Sequence, residues 1–142
     1  MNLPMLQLRN RDGSPFSWPE LWQRRNVLVL VAHGSCASCR RVLADWEEQA
    51  DVLAAENTTP IAIFEEDPGE TPPGVRVLVD PQRRFASQLG IPSGTVLAAD
   101  RFFEVLEQED VHAMGADEAA SDSIEWVRLA ERQCPECGVG TW

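Results

Sequence analysis

The sequence predicts an α/β fold: a central mixed β-sheet flanked by helices, with an N-terminal β/α extension. Three observations predict it. Residues 27–31, Val-Leu-Val-Leu-Val, form an apolar, β-branched run that reads as a buried strand. That run breaks at Gly34, presents Cys36 and Cys39 in Cys-x-x-Cys spacing, and passes into an amphipathic pattern with Leu43, Trp46, Ala50 and Leu53 at helical spacing. A second buried run, residues 61–64, lies beyond that helix. A helical crossover makes the two strands parallel. The tight turn at Ala99-Asp100-Arg101 instead makes residues 95–98 and 102–106 an antiparallel pair.

In chain order, residues 5–8 form a short first strand and Asp12-Gly13 marks a turn. Ser17 and Glu20 stand at capping-box spacing and open a short helix that buries Leu21 and Trp22. The long helix runs from about Cys36 to about Glu56, where Asn57 and Pro60 stop it. Residues 65–74 are an acidic, Pro/Gly-rich loop without a large apolar residue to pack, and so are expected to be mobile. Residues 75–79 are extended. Asp80 caps a helix with Pro81 in its first position, Phe85 and Leu89 share a face of it, and Gly90 ends it. Residues 107–120 read as acidic and irregular. Ser121 or Asp122 caps a last helix holding Ile124, Val127 and Leu129.

The chain has 142 residues and is 44% apolar, enough for one core. The expected organisation is one domain over residues 1–133 and a cysteine-bearing tail over 134–142. Net charge is −11 and every cation is an arginine, a balance that repels polyanions and excludes nucleic acid as a partner. No apolar run is long enough to span a membrane. The first five residues lack a basic segment followed by an apolar one, so the expected compartment is the cytoplasm. Two Cys-x-x-Cys pairs in a reducing compartment point to redox or metal chemistry rather than structural cross-links.

A strand that ends in a turn, a Cys-x-x-Cys and a helix places a thiol at a helix N-terminus. Unpaired backbone N–H groups and the helix dipole favour an anion there. A thiol pKa near 8.5 falls to roughly 3.5–7.5 in such settings. Cys36, the outer cysteine, is the candidate nucleophile. Cys39, one turn into the helix, is the candidate resolving thiol. The competing reading is a buried structural pair or half of a metal site.

The order of elements, with Cys-x-x-Cys where the first core strand meets its helix, resembles the thioredoxin fold. The segments 6–26, 27–39, 79–80, 89–93 and 95–105 together resemble its peroxiredoxin-like branch, the alkyl hydroperoxide reductase and thiol-specific antioxidant superfamily with its thioredoxin-like disulfide reductases. Gly90-Ile91-Pro92-Ser93 is similar to the segment that carries the family's cis-proline, so the resemblance implies a cis bond at Pro92, facing the cysteines. The chain departs from the family at several positions. Ser35 replaces the tryptophan that precedes the first cysteine in thioredoxins. Leu30 stands where they bury a carboxylate that accepts the resolving thiol's proton. His33 and Val29 stand where peroxiredoxins have a Thr or Ser and a Pro.

His33 and Arg40 are candidates for tuning a thiol, because a neighbouring cation favours thiolate. Arg41 is either a further such cation or a solvated helix position. His112 lies in the acidic stretch and is expected to face solvent. Cys134 and Cys137, in Cys-Pro-x-Cys-Gly, resemble the knuckle of rubredoxins and zinc ribbons. Zinc or iron ligation, a second dithiol that relays electrons to Cys36 and Cys39, and idle thiols are all open. One knuckle supplies two ligands. The rest would come from a second subunit's knuckle, or from Cys36 and Cys39 with the tail folded back, and a homodimer is among the expected partners.

The expected function is thiol–disulfide exchange through Cys36 and Cys39, on a protein disulfide or with a thiol electron donor. The sequence carries no glycine-rich dinucleotide fingerprint, so no organic cofactor is implied. The alternatives are peroxide reduction by Cys36, and a non-catalytic, metal-binding interaction module built on the tail.

Overall fold

A computed structural model describes residues 1–132. In chain order its elements are β1 (Arg9–Asn10), a 3-10 turn (Trp18–Glu20), β2 (Asn26–Val31), α1 (Ala37–Glu48), α2 (Ala50–Ala55), β3 (Thr58–Phe64), β4 (Arg76–Val79), α3 (Arg84–Leu89), β5 (Thr95–Ala99), β6 (Val105–Asp110), α4 (Val111–Met114) and α5 (Ala116–Glu131). The strands form one mixed sheet in the order β1-β4-β3-β2-β5-β6.

Every residue of β2 is buried, which explains why its sequence is a continuous apolar run rather than an alternation. It pairs in parallel with β3, from Asn26 beside Thr58 to Val31 beside Ile63. On its other side it pairs antiparallel with β5, Leu30 lying opposite Val96. The expected directions of both pairings hold. So does the return strand, although β6 begins at Val105 and runs on to Asp110. The Asp100 carboxylate turns the chain by accepting the N–H groups of Phe102 and Glu104 at 2.9 and 3.0 Å.

The strand's alternation divides the core in two. Leu28 and Leu30 face a cluster with Cys39, Val42, Leu43 and Trp46 of α1 and Ile124 and Val127 of α5. Val27, Val29 and Val31 face the other cluster, where Trp18 stacks on Phe85 at 5.9 Å and meets Phe16 and Phe103 edge-on. The extension therefore has a definite job. It lays Trp18 against the sheet, with the indole N–H donating to the Leu6 carbonyl at 2.8 Å.

Several boundaries differ from expectation, each for a local reason. The long helix is two helices that part at Gln49, and Asn57, at φ 53°, closes the second one with a left-handed turn. The helix expected at Pro81 begins at Arg84. Asp80 still initiates it, from further back, its carboxylate accepting the N–H of Phe85 at 2.9 Å. Gly90 ends it at φ 68°, as the sequence indicates. Ser17 makes no side-chain cap, since the element it opens is a three-residue 3-10 turn, and Trp22 is 39% exposed rather than buried. The stretch read as irregular holds the end of β6, α4 and the first turn of α5.

Candidate active site

The site is built where β2 runs out. Beyond Val31 and Ala32 the chain emerges, and His33, Gly34 and Ser35 are exposed. Cys36 then takes the N-cap of α1 with an extended backbone (φ −82°, ψ 117°), and its sulfur accepts the backbone N–H of Cys39 at 3.3 Å. The capping acceptor that Ser, Thr or Asp usually provides is here a thiol, half-exposed at the mouth of the turn. Cys39 sits one turn on, fully buried beside Val42, Leu43 and Trp46. Both cysteines are free thiols. Burial pushes the Cys39 thiol up to about 12, a backbone hydrogen bond from His33 works against that rise, and the neighbouring Cys36 adds to it. One sulfur is accessible and held by a helix N-terminus; the other is withheld from water as a neutral thiol.

His33 meets this pair through its backbone. Its carbonyl accepts the Cys36 N–H at 3.4 Å, and its N–H opposes the rise of Cys39. Its ring lies 5.6 Å from the ring of His112. Arg40 has a second role beside its charge. Its guanidinium donates to the carbonyls of Gly34 (3.1 Å), Pro68 (2.8 Å) and Glu70 (2.8 Å), and lies over the ring of Phe64. Its charge reaches Cys39 as the weakest of the effects lowering that thiol. Arg40 is chiefly a strap from the cysteine turn to the acidic loop. Arg11 holds the same loop through Asp67, Thr71 and the Gly69 carbonyl, and Glu47 accepts the Gly74 N–H. Residues 65–74 are thus anchored by charged side chains rather than by apolar packing. Arg41 bridges Asp45 and Asp117, joining α1 to α5.

Pro92 corrects the sequence reading. No peptide bond among the described residues is cis, so Pro92 is trans, the commoner state of X-Pro bonds, and its ring is exposed. The loop presents Gly94 instead. Its N–H donates to the Val31 carbonyl at 2.6 Å and its own carbonyl accepts Val111 N–H at 2.9 Å. This fixes the base of α4 against the end of β2. A Cβ built on Gly94 would stand 2.9 Å from the ring of His112, so a glycine is what lets that ring lie there.

His112 is the residue that sequence reasoning missed. It is solvent-exposed, as expected, yet its Nε2 lies 3.9 Å from the sulfur of Cys36. The one sequence signal for it is Asp110, two residues earlier. The Asp110 carboxylate accepts the His112 N–H at 2.8 Å and caps α4, setting the direction in which the histidine leaves the sheet. Leu30 is fully buried, as the departure at that position implies. Along the same row, Val96 lies opposite Leu30 and Glu109 opposite Val96. Directly paired residues share a face. The sheet therefore carries one buried carboxylate two strands away from Leu30. Cys134 and Cys137, with the expected tail, lie outside the described residues.

No protein-family model matches the sequence, and no curated protein does. Solved structures do match over nearly the whole chain. Peroxidoxin BcpB from Mycobacterium tuberculosis has a TM-score of 0.77 at 16% identity, over 91% of this chain and 95% of that one. Peroxiredoxin Q from Xanthomonas campestris has 0.76 at 7% identity, over 93% and 98%. A protein assigned to thiol:disulfide interchange, DsbE from Chlorobium tepidum, has 0.67 at 15% identity, over 87% and 95%. The fold is thioredoxin-like, of the kind that peroxiredoxins and thiol–disulfide proteins share. On that fold this chain places a Cys36–Cys39 pair at the end of its central strand.

Proposed function

We propose that the protein is a thiol–disulfide oxidoreductase. Cys36, as thiolate, attacks one sulfur of a substrate disulfide. A bond forms between Cys36 and that sulfur, the substrate S–S bond breaks, and the second substrate sulfur leaves and takes a proton. Cys39 then attacks Cys36. Their disulfide forms, the mixed disulfide breaks, and the proton lost by Cys39 ends on the departing thiol. Two electrons pass from the pair to the substrate, and an external thiol donor restores the pair. No organic cofactor takes part. The observation that carries this reading is the pairing of an accessible Cys36 at the helix N-terminus with a buried Cys39 whose N–H already lies on the Cys36 sulfur. That is the division of labour a dithiol exchange needs.

Reduction of insulin by dithiothreitol, with and without the protein, tests it. Wild type accelerates the reaction, Cys36→Ser abolishes the acceleration, and Cys39→Ser accumulates the mixed disulfide, detectable by mass. Full acceleration by Cys36→Ser overturns the reading. The likeness to two peroxiredoxin structures supports a second reading, peroxide reduction through Cys36, in which the thiolate attacks one peroxide oxygen, the O–O bond breaks, Cys36 becomes a sulfenic acid and the other oxygen takes a proton and leaves as water. Consumption of hydrogen peroxide that depends on Cys36 and outruns disulfide exchange would favour it.

A further inference from the structure

The disulfide-exchange chemistry proposed above needs a group that handles protons at the mouth of the site. Leu30 does not supply one, and Cys39 is itself a buried thiol held neutral. Arg40 does not supply one either, since a guanidinium keeps its proton and this one is spent on three carbonyls. Imidazole is the side chain that both accepts and releases a proton near neutrality. His112 puts an imidazole nitrogen 3.9 Å from the Cys36 sulfur.

Three separate devices set it there. The Asp110 carboxylate caps α4 through the His112 N–H. Val111, 1% exposed, anchors that helix in the core. Gly94, at φ 92°, leaves open the space that a Cβ would take from the ring. The titratable and charged groups placed around His112 are Cys36 from the cap of α1, His33 from the turn before it, and Asp110 at the end of β6. Asp117, on the first turn of α5, is engaged with Arg41.

We infer that His112 is a catalytic residue, the general base that takes the proton of the Cys36 thiol and returns it to the departing substrate sulfur. This rests on the thiol–disulfide reading of the site. In the first half-reaction the imidazole accepts the Cys36 proton and the thiolate attacks. Once the substrate S–S bond has broken, the imidazolium protonates the leaving thiolate. Reactants and products differ only by the exchanged sulfur bonds, and His112 ends in the form in which it began. In the reverse direction, when donor thiols reduce the oxidised pair, the imidazole takes the proton of the attacking donor thiol and gives it to Cys36 as the bond from Cys36 to the donor sulfur breaks.

The experiment follows the rate of exchange with a small chromogenic disulfide, and of alkylation by iodoacetamide, from pH 5 to 9 in wild type, His112→Gln and Cys36→Ser. In wild type, which requires no substitution, log rate against pH should show two ionisations, one from the thiol and one from the imidazole. His112→Gln should lose one of them and slow exchange at least about tenfold at pH 6.5, toward the 10²–10⁴-fold that positioned acid–base groups supply. Its unfolding midpoint should match wild type, because the side chain is exposed. A single ionisation in wild type, or a His112→Gln profile that superimposes on it, overturns the assignment while leaving the cysteine reading intact. Exchange that persists in Cys36→Ser overturns the reading beneath it.

Discussion

The two faces of the sheet share a strand, β2, yet they are made for different ends. On one face, Val27, Val29 and Val31 meet an aromatic cluster of Phe16, Trp18, Phe85 and Phe103, beside which the Trp18 indole nitrogen and the buried Asp80 carboxylate are each satisfied by a backbone partner. On the other, Leu28 and Leu30 meet α1 and α5, and this face also buries groups that titrate, Cys39 and Glu109. The first face holds the molecule together. The second does that too, and in addition carries the chemistry at its upper end. The extension reaches the cysteine turn indirectly, through Arg11 on the loop that Arg40 straps to Gly34, whereas Trp18 packs on the far face of the sheet and can be judged by stability alone.

The largest expected effect breaks that separation if it is false. Trp18→Ala removes a stacked and two edge-on aromatic contacts and leaves the Leu6 carbonyl unpaired. It should cost about 3–5 kcal/mol in denaturant unfolding, with the rate of Cys36 alkylation at neutral pH unchanged in the folded protein. An alkylation rate that changes with it would mean that the faces are coupled.

A smaller effect belongs to the strap. Arg40→Ala removes three charge-assisted hydrogen bonds that tie residues 68–70 to Gly34. It should lower stability by about 1–2 kcal/mol and make residues 65–74 the first site of limited proteolysis. If cleavage there is no faster than in wild type, Arg11, Glu47 and Arg83 suffice to hold the loop.

What was legible follows the same division. β2, the Cys36–Cys39 turn, the buried face of α1 and the glycine that ends α3 were all readable, because each is decided by residues within a few positions of one another. The anchoring of residues 65–74 was not. Loops without apolar residues look free in sequence, and four charged side chains from distant positions, Arg11, Arg40, Glu47 and Arg83, hold this one. Pro92 was misjudged because a Gly-Ile-Pro-Ser resemblance does not fix the state of the peptide bond. The exposure of His112 is as the sequence indicates, but its place beside Cys36 is not legible there; only the pairing of β5 with β6 sets that exposed ring against Cys36. The end of β6 was hidden for a further reason. Its buried inward residue is Glu109, so the apolar alternation that marks a strand is missing where it was sought.

Glu109 also gives the smallest prediction, and one with a definite sign. It is 8% exposed, its Oε2 has no hydrogen-bond partner among the described residues, and burial, with Asp122 and Glu118 on α5 and Glu107 on its own strand, pushes its carboxyl up from 4.5 to about 7. Below pH 4.5 the folded and unfolded chains both carry the proton, and nothing is lost. Between pH 4.5 and 7 the unfolded chain gives it up first, so stability falls as pH rises; above 7 the full cost of a buried carboxylate is present. Glu109→Gln removes the charge and keeps the shape. It should therefore stabilise the protein at pH 8 by about 1–3 kcal/mol, with the gain shrinking toward zero near pH 4.5. Thermal unfolding of both proteins at pH 5 and pH 8 measures it. A gain of equal size at both pH values would show that Glu109 is poorly packed rather than poorly charged, and would leave Cys39 as the titrating group buried on that face.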